Sequence, residues 1–228
     1  YSFLMVTLLA LRGDGPVSAA LVYLLAHALY KGALFMVAGA IDHETGTRNV
    51  ERLGGLRTAM PVTAAVAVLA AISLAGLGPV LSFIGKELLF EAVLHVEENW
   101  FIFVPAVLLA SAVSIAVALI VSLRPFFGAQ RSTPKHPHDP PVSMWVGPAL
   151  LGLLGLVLGL TPAWVARMLV TPAVSAVLQE PQTVTLGLWH GFNLALLLSG
   201  IAIVLGALLY WGWNAWRRFS TRFERVIR

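Results

Sequence analysis

GLGPVLSFIGKELLFEAVLH, residues 76–95, places Gly76, Gly78 and Pro79 ahead of Lys86 in an otherwise apolar region. A charged side chain at the centre of a bilayer costs roughly 2.5–3.5 kcal/mol on insertion scales, so a chain keeps one there for a partner or a task. Glu87, Glu91 and His95 recur at intervals of four and fall on one helix face, with Lys86 about 100° away from Glu87. Two polar faces therefore emerge from one helix.

Composition makes this a membrane position. Hydrophobic residues are 58% of the 228, and charged residues only 11%. Soluble domains carry about 25% charged residues. Mean hydropathy is +0.84. Long apolar runs, rather than alternating ten-residue strands, point to helices and not a barrel. The absence of cysteine removes disulfides, thiol chemistry and cysteine-ligated clusters from these residues. A pI near 9.9 invites a nucleic-acid reading. The basic residues instead sort by membrane topology, and nucleic-acid binding is set aside.

The chain opens at Tyr1 inside an apolar run, which reads as part of a longer protein. Residues 1–11 form a partial span closed by the turn at residues 12–16. The second span covers 16–41, and on it Tyr23, His27 and Lys31 make one polar stripe. Residues 42–57 are too charged for hydrocarbon and are expected as a surface connection. Residues 61–95 would make a helix about 52 Å long against a core of about 30 Å, so the helix must bend, break or cross twice. Gly76, Gly78 and Pro79 mark the break. Further spans are expected at 100–123, 143–160 and 188–213, with a proline-rich loop at 124–141, an interfacial connection at 161–187 and a basic tail.

Loop charge selects one broken span over two short ones. With one crossing, Arg48, Arg52, Arg57, Arg124, Arg131, Lys135, Arg217, Arg218, Arg222, Arg225 and Arg228 share a side, against Arg12 and Arg167. Two crossings would divide the same residues more evenly, nine against four, and so fit the positive-inside rule less well. Lys31 and Lys86 are the two basic residues left inside the spans. The expected fold is an all-α, polytopic transmembrane helical bundle with one discontinuous helix. Intramembrane ionisable groups commonly mark ion routes or proton relays, and Lys86, Lys31, His27 and Glu87 are the principal candidates here. Glu91, His95, Tyr23 and His190 are secondary. Lys135-His136-Pro137-His138-Asp139 reads as a solvated loop rather than a metal site. Gly155 and Gly159 form a GxxxG pair suited to close helix packing.

HALYKGALFMVAGAIDHETGTR (27–48), GGLR (54–57) and AGLGPVLSFIGKE (75–87), in this order and spacing, resemble the antiporter-like subunits shared by Mrp cation/proton antiporters and respiratory complex I. LWHGFNLALLLSG (188–200) is more similar to the large A-type Mrp subunit. The resemblance implies half of an inverted-repeat fold, with residues 1–127 as the second half of the antiporter module and 128–228 as an extension. It implies that His27, Lys31, Lys86 and Glu87 carry protons, in exchange for sodium or another monovalent cation. The implied partners are the lipid bilayer and the other membrane subunits of a hetero-oligomeric complex. No cofactor, metal or covalent catalysis is called for, and the implied location is the cell's inner membrane with the basic side cytoplasmic. The alternative is a proton-pumping subunit of an NADH:quinone oxidoreductase. Two departures stand out: Tyr23 occupies the place of a second family histidine, and Gly78-Pro79 replaces a double proline. A phenol holds its proton near neutrality, which puts a proton step at Tyr23 in doubt.

Overall fold

The computed structural model describes residues 13–96, 100–189 and 191–227, with residues 214–227 by backbone alone. Among the described residues every regular element is helical. They are α1 (Asp14–Thr45), a 3-10 turn (Leu56–Thr58), α2 (Pro61–Ala75), α3 (Leu81–Leu94), α4 (Trp100–Phe126) and α5 (Val142–Leu160). After these come α6 (Pro162–Val165), a π-helical turn (Ala166–Val170), α7 (Thr171–Leu178) and α8 (Leu194–Ile227). The first expected span (1–11), Arg12 and His190 lie outside the described residues.

Among the described residues four segments are long and apolar enough to cross a membrane: α1, α4, α5 and Leu194–Trp213 of α8. Half of the most apolar window of α1 is buried, against 28% for α5 and for α8. α1 is thus the hub and the other two lie at the rim. Its first half packs Val17, Val22 and Leu29 with Leu81, Ile84 and Leu158. Its middle packs Tyr30 and Leu34 with Ala70, Leu74, Ile115 and Ala202. Its far end meets Leu53, Leu56, Met60 and Ala67. The outward leucines of α5, such as Leu150, Leu153 and Leu160, remain exposed, as expected of a face turned to lipid or to a neighbouring protein.

α2 and α3 are too short to span alone, at about 22 Å each by helical rise. Together they cross the bundle once. At one end, the loop after α4 lies against the segment after α1: Arg131 N–H donates to the Gly54 carbonyl (3.3 Å) and Lys135 N–H to the Thr45 carbonyl (3.1 Å). At the opposite end, Asp14 of α1 shares a cavity of about 530 Å³ with Glu91 and His95 of α3.

Several boundaries differ from the sequence reading, among them α4 ending at Phe126 and the last helix continuing to Ile227, and two of the differences have a local cause. α1 continues past Ile41 through the charged residues to Thr45. Gly46 then adopts the left-handed conformation (φ 71°) that ends a helix without a Cβ penalty, its N–H on the Asp42 carbonyl. The last helix begins at Leu194 rather than Leu188, because Asn193 Oδ1 accepts the Leu196 N–H at 2.8 Å and sets the N-cap.

The start of α2 is capped from a distance. Met60, its N-cap residue, supplies no side-chain hydrogen bond. Asp139 does so instead, accepting from Val62 N–H (3.1 Å), Thr63 N–H (3.1 Å) and Thr63 Oγ1–H (2.9 Å). Asp139→Ala is expected to cost about 1 kcal/mol, the usual value of a lost N-cap. A lower melting temperature of the purified protein, partly recovered in Asp139→Asn, checks this.

Candidate functional site: a buried lysine at a helix break

The break at residues 76–80 follows from local chemistry. Gly76 ends α2 with φ 62°, and Gly78 also holds a positive φ of 71°. Pro79 then brings no N–H to continue a helix. Such a break leaves carbonyls at the end of α2 in need of donors, and inside a membrane they must be found within the protein. Leu77 N–H donates to the Ile72 carbonyl (3.1 Å) and Gly76 N–H to the Ser73 carbonyl (3.1 Å). The Ser82 hydroxyl also donates to the Ser73 carbonyl.

Lys86 completes this set. Its Nζ donates to the Ala75 carbonyl at 3.2 Å, and the residue is 2% exposed. A cation at the C-terminal end of α2 also meets the negative end of that helix dipole. Gly76 makes the approach possible: a Cβ there would stand 3.2 Å from Lys86 Cε and 3.3 Å from Nζ. The partner of the ammonium in the described geometry is thus a backbone carbonyl at the break. The sequence leaves the partner of Lys86 open, because a carbonyl released by chain topology has no residue-type signature. Ser73 Oγ lies buried with no protein hydrogen-bond partner among the described residues.

α3 presses against α1 one residue before this lysine. A Cβ at Gly85 would lie 3.1 Å from Tyr23 Cδ2 and 3.2 Å from Tyr23 Cα. Tyr23 in turn begins a line of polar groups on α1. Tyr30 OH donates to Tyr23 OH over a long 3.4 Å, and His27 Nδ1 lies 2.8 Å from Tyr30 OH. If the single Tyr30 proton points to Tyr23, His27 Nδ1–H is the donor to Tyr30. Both tyrosines are almost fully buried.

The structure therefore brings Tyr23 and His27 into one line and adds Tyr30, which the sequence reading passed over. The signal was present: Tyr30 lies three residues after His27 and seven after Tyr23, on their face of the helix. Lys31 is set differently. Its ammonium lies 5.9 Å from the Phe35 ring centroid, a cation–π contact on a partly exposed face. Glu87 is buried beside Lys86 along α3. Glu91 and His95 are exposed at the end of α3, where both line the cavity shared with Asp14. His95 Nδ1 donates to the Glu91 carbonyl at 2.8 Å and so caps the helix.

Residues 2–114 match the family described as NADH:quinone oxidoreductase/Mrp antiporter, TM. The chain is 36% identical over 220 residues to the A-type Na(+)/H(+) antiporter subunit of Alkalihalophilus pseudofirmus, covering 89% of this chain and 27% of that protein. It is 32% identical over 216 residues to the A1-type Na(+)/H(+) antiporter subunit of Staphylococcus aureus, covering 90% and 27%. It thus spans about a quarter of these relatives. In three dimensions it is similar to a chain of the Mrp complex from Dietzia sp. DQ12-45-1b, with a TM-score of 0.80, 34% identity, and 96% of this chain against 24% of that one. A second similarity is to a chain of the archaeal membrane-bound sulfane sulfur reductase, a respiratory complex, with a TM-score of 0.67, 29% identity, and 91% against 34% covered.

Proposed function

From the membership of residues 2–114 in the NADH:quinone oxidoreductase/Mrp antiporter transmembrane family, we propose that the chain is part of the large subunit of a multisubunit sodium/proton antiporter and carries protons through the bundle. The observation that supports this best is the buried Lys86 ammonium on the Ala75 carbonyl at the helix break. A lysine in that setting can hold or release a proton as the charge around it changes.

The remaining candidates extend from this centre. Glu87 lies beside it, and Tyr23, Tyr30 and His27 form the neighbouring hydrogen-bonded line. A phenol can pass a proton by accepting one and donating another without ionising, so Tyr23 serves as a conductor rather than a carrier. The unpartnered Ser73 hydroxyl offers a hydrogen-bonding place for relay water beside the break. Lys31 is the second carrier, one helical turn after His27. Glu91 and His95, on the cavity with Asp14, form the opening at the opposite end. The arginine-bearing end faces the cytoplasm of a cell's inner membrane by the positive-inside rule. Sodium is the coupled ion and the other proteins of the antiporter complex are the partners, a reading supported by the names of the relatives.

The experiment is sodium-driven proton exchange by the full-length complex in sealed vesicles. Lys31→Ala is expected to remove most of the exchange. Tyr30→Phe deletes one hydroxyl from a packed position, so it should lower exchange severalfold while leaving assembly intact. Wild-type rates in both variants would remove α1 from the pathway. The similarity to a respiratory complex supports a second reading, a proton-pumping subunit driven by redox chemistry elsewhere. Proton movement that requires an electron donor, and not a sodium gradient, would favour it.

A further inference from the structure

The far end of α1 holds a second group of protonatable side chains, outside the relay. Glu44 is only 5% exposed, with Oε1 2.8 Å from His43 Nδ1 and Oε2 3.2 Å from His138 Nε2. The two imidazoles are open to water, at 61% and 71% exposure. A carboxylate removed from water requires charged or hydrogen-bonding partners. Here both oxygens meet the one side-chain type whose charge ordinarily changes between about pH 5 and 8.

His138 does not act alone. Its neighbour Asp139 holds the first turn of α2 through Val62 and Thr63. Two consecutive loop residues therefore tie the end of α1 to the start of α2. α1 carries His27 and Lys31, and the opposite end of α2 supplies the carbonyl that holds Lys86.

We propose that Glu44, His43 and His138 form a proton-binding clamp that fastens the loop 128–141 across α1 and α2 and makes their packing responsive to pH at the arginine-bearing end. The consequence for transport rests on the relay proposed above, whereas the clamp itself does not.

The surrounding charges leave the imidazoles as the responsive groups. On α1 and the segment after it, Asp42 is held by Arg48 at 2.7 Å, Arg57 lies over the Phe127 ring, and Arg52 lines a surface cavity with Arg131. From the loop, the Arg131 guanidinium donates to the Glu51 carbonyl and Lys135 Nζ donates to the His43 carbonyl at 3.0 Å. His136 lines an adjacent cavity with Arg131 and Lys135. On the α2 side, Asp139 faces backbone N–H groups.

The sign follows from the contact. An imidazolium donates a charge-assisted hydrogen bond to the carboxylate, and a neutral imidazole loses that assistance. The clamp is tightest with the imidazoles protonated and loosens when they are neutral.

Hydrogen exchange on the intact complex tests this, read at the Val62, Thr63 and Lys135 amides and corrected for the intrinsic pH dependence of exchange. In the wild type, protection of these amides should fall as pH rises. His138→Gln should give low, pH-independent protection, and His138→Arg high, pH-independent protection. Glu44→Gln should resemble His138→Gln. A wild-type pH profile in His138→Gln and His138→Arg would overturn the clamp. Since the readout is local, it remains decisive even if Lys86 variants transport normally and the relay falls.

Discussion

Lys86→Ala is expected to reduce sodium-driven proton exchange to the background of protein-free vesicles while the complex still assembles. The substitution removes the ammonium buried at the helix break and leaves the Ala75 carbonyl without that donor. An unsatisfied buried acceptor costs about 1–3 kcal/mol, enough to lower stability without unfolding a bundle held by four hydrophobic clusters. Lys86→Arg separates the two roles. Guanidinium keeps the positive charge and can donate to the end of α2, yet it does not release its proton in proteins. Lys86→Arg should therefore assemble with better stability than Lys86→Ala and remain without exchange. Full exchange in the arginine variant would leave Lys86 as a helix cap and end its assignment as a carrier.

Gly159→Val is expected to prevent the break from packing and to lower both stability and exchange with every proposed relay residue still present. A Cβ at Gly159 would run into the backbone of Pro79, Val80 and Leu81, the segment joining α2 to α3. Because these are backbone atoms, no rotamer change relieves the clash, and the cost lies at or above the about 1–3 kcal/mol of ordinary overpacking. The displaced segment would carry the Ala75 carbonyl away from Lys86. Gly155→Ala is the control: its nearest contact outside its own helix is Ser73 Oγ at 3.6 Å, an ordinary separation. A melting curve and an exchange assay on both variants check the contrast. Equal behaviour of the two would mean that the break tolerates movement and that its fit to α5 is unimportant.

The GxxxG pattern thus identified a packing surface, but not what it would pack on. Gly159 meets the interrupted backbone, whereas Gly155 lies beside Ser73. A similar division holds for the polar stripe on α1. Spacing placed Tyr23, His27 and Lys31 on one side of the helix, yet only Tyr23 and His27 join a common line, through Tyr30. Lys31 turns to Phe35. Helical periodicity defines a direction to within a quadrant, whereas hydrogen bonding depends on rotamers and neighbours that periodicity does not contain.

Glu44 and the KHPHD loop were the least legible. Both sit in strongly polar stretches that read as solvated, and Glu44 is nevertheless buried. The reason is a contact between segments more than 90 residues apart, since Lys135 reaches the His43 carbonyl across a separation of 92 positions. No local pattern encodes such a meeting.

By itself, the sequence determined a membrane protein built of helices, a discontinuous helix at residues 76–80, and Lys86 as the charge around which that helix is organised. These follow from quantities local to the chain: hydropathy over a span, the conformational preferences of glycine and proline, and the cost of an ion in hydrocarbon. Only the tertiary structure decided what Lys86 holds, which α1 groups connect, and that Asp139 and His138 close the opposite end. Those are pairings between distant segments, set by how the helices pack, and packing is a property of the whole bundle rather than of any one stretch.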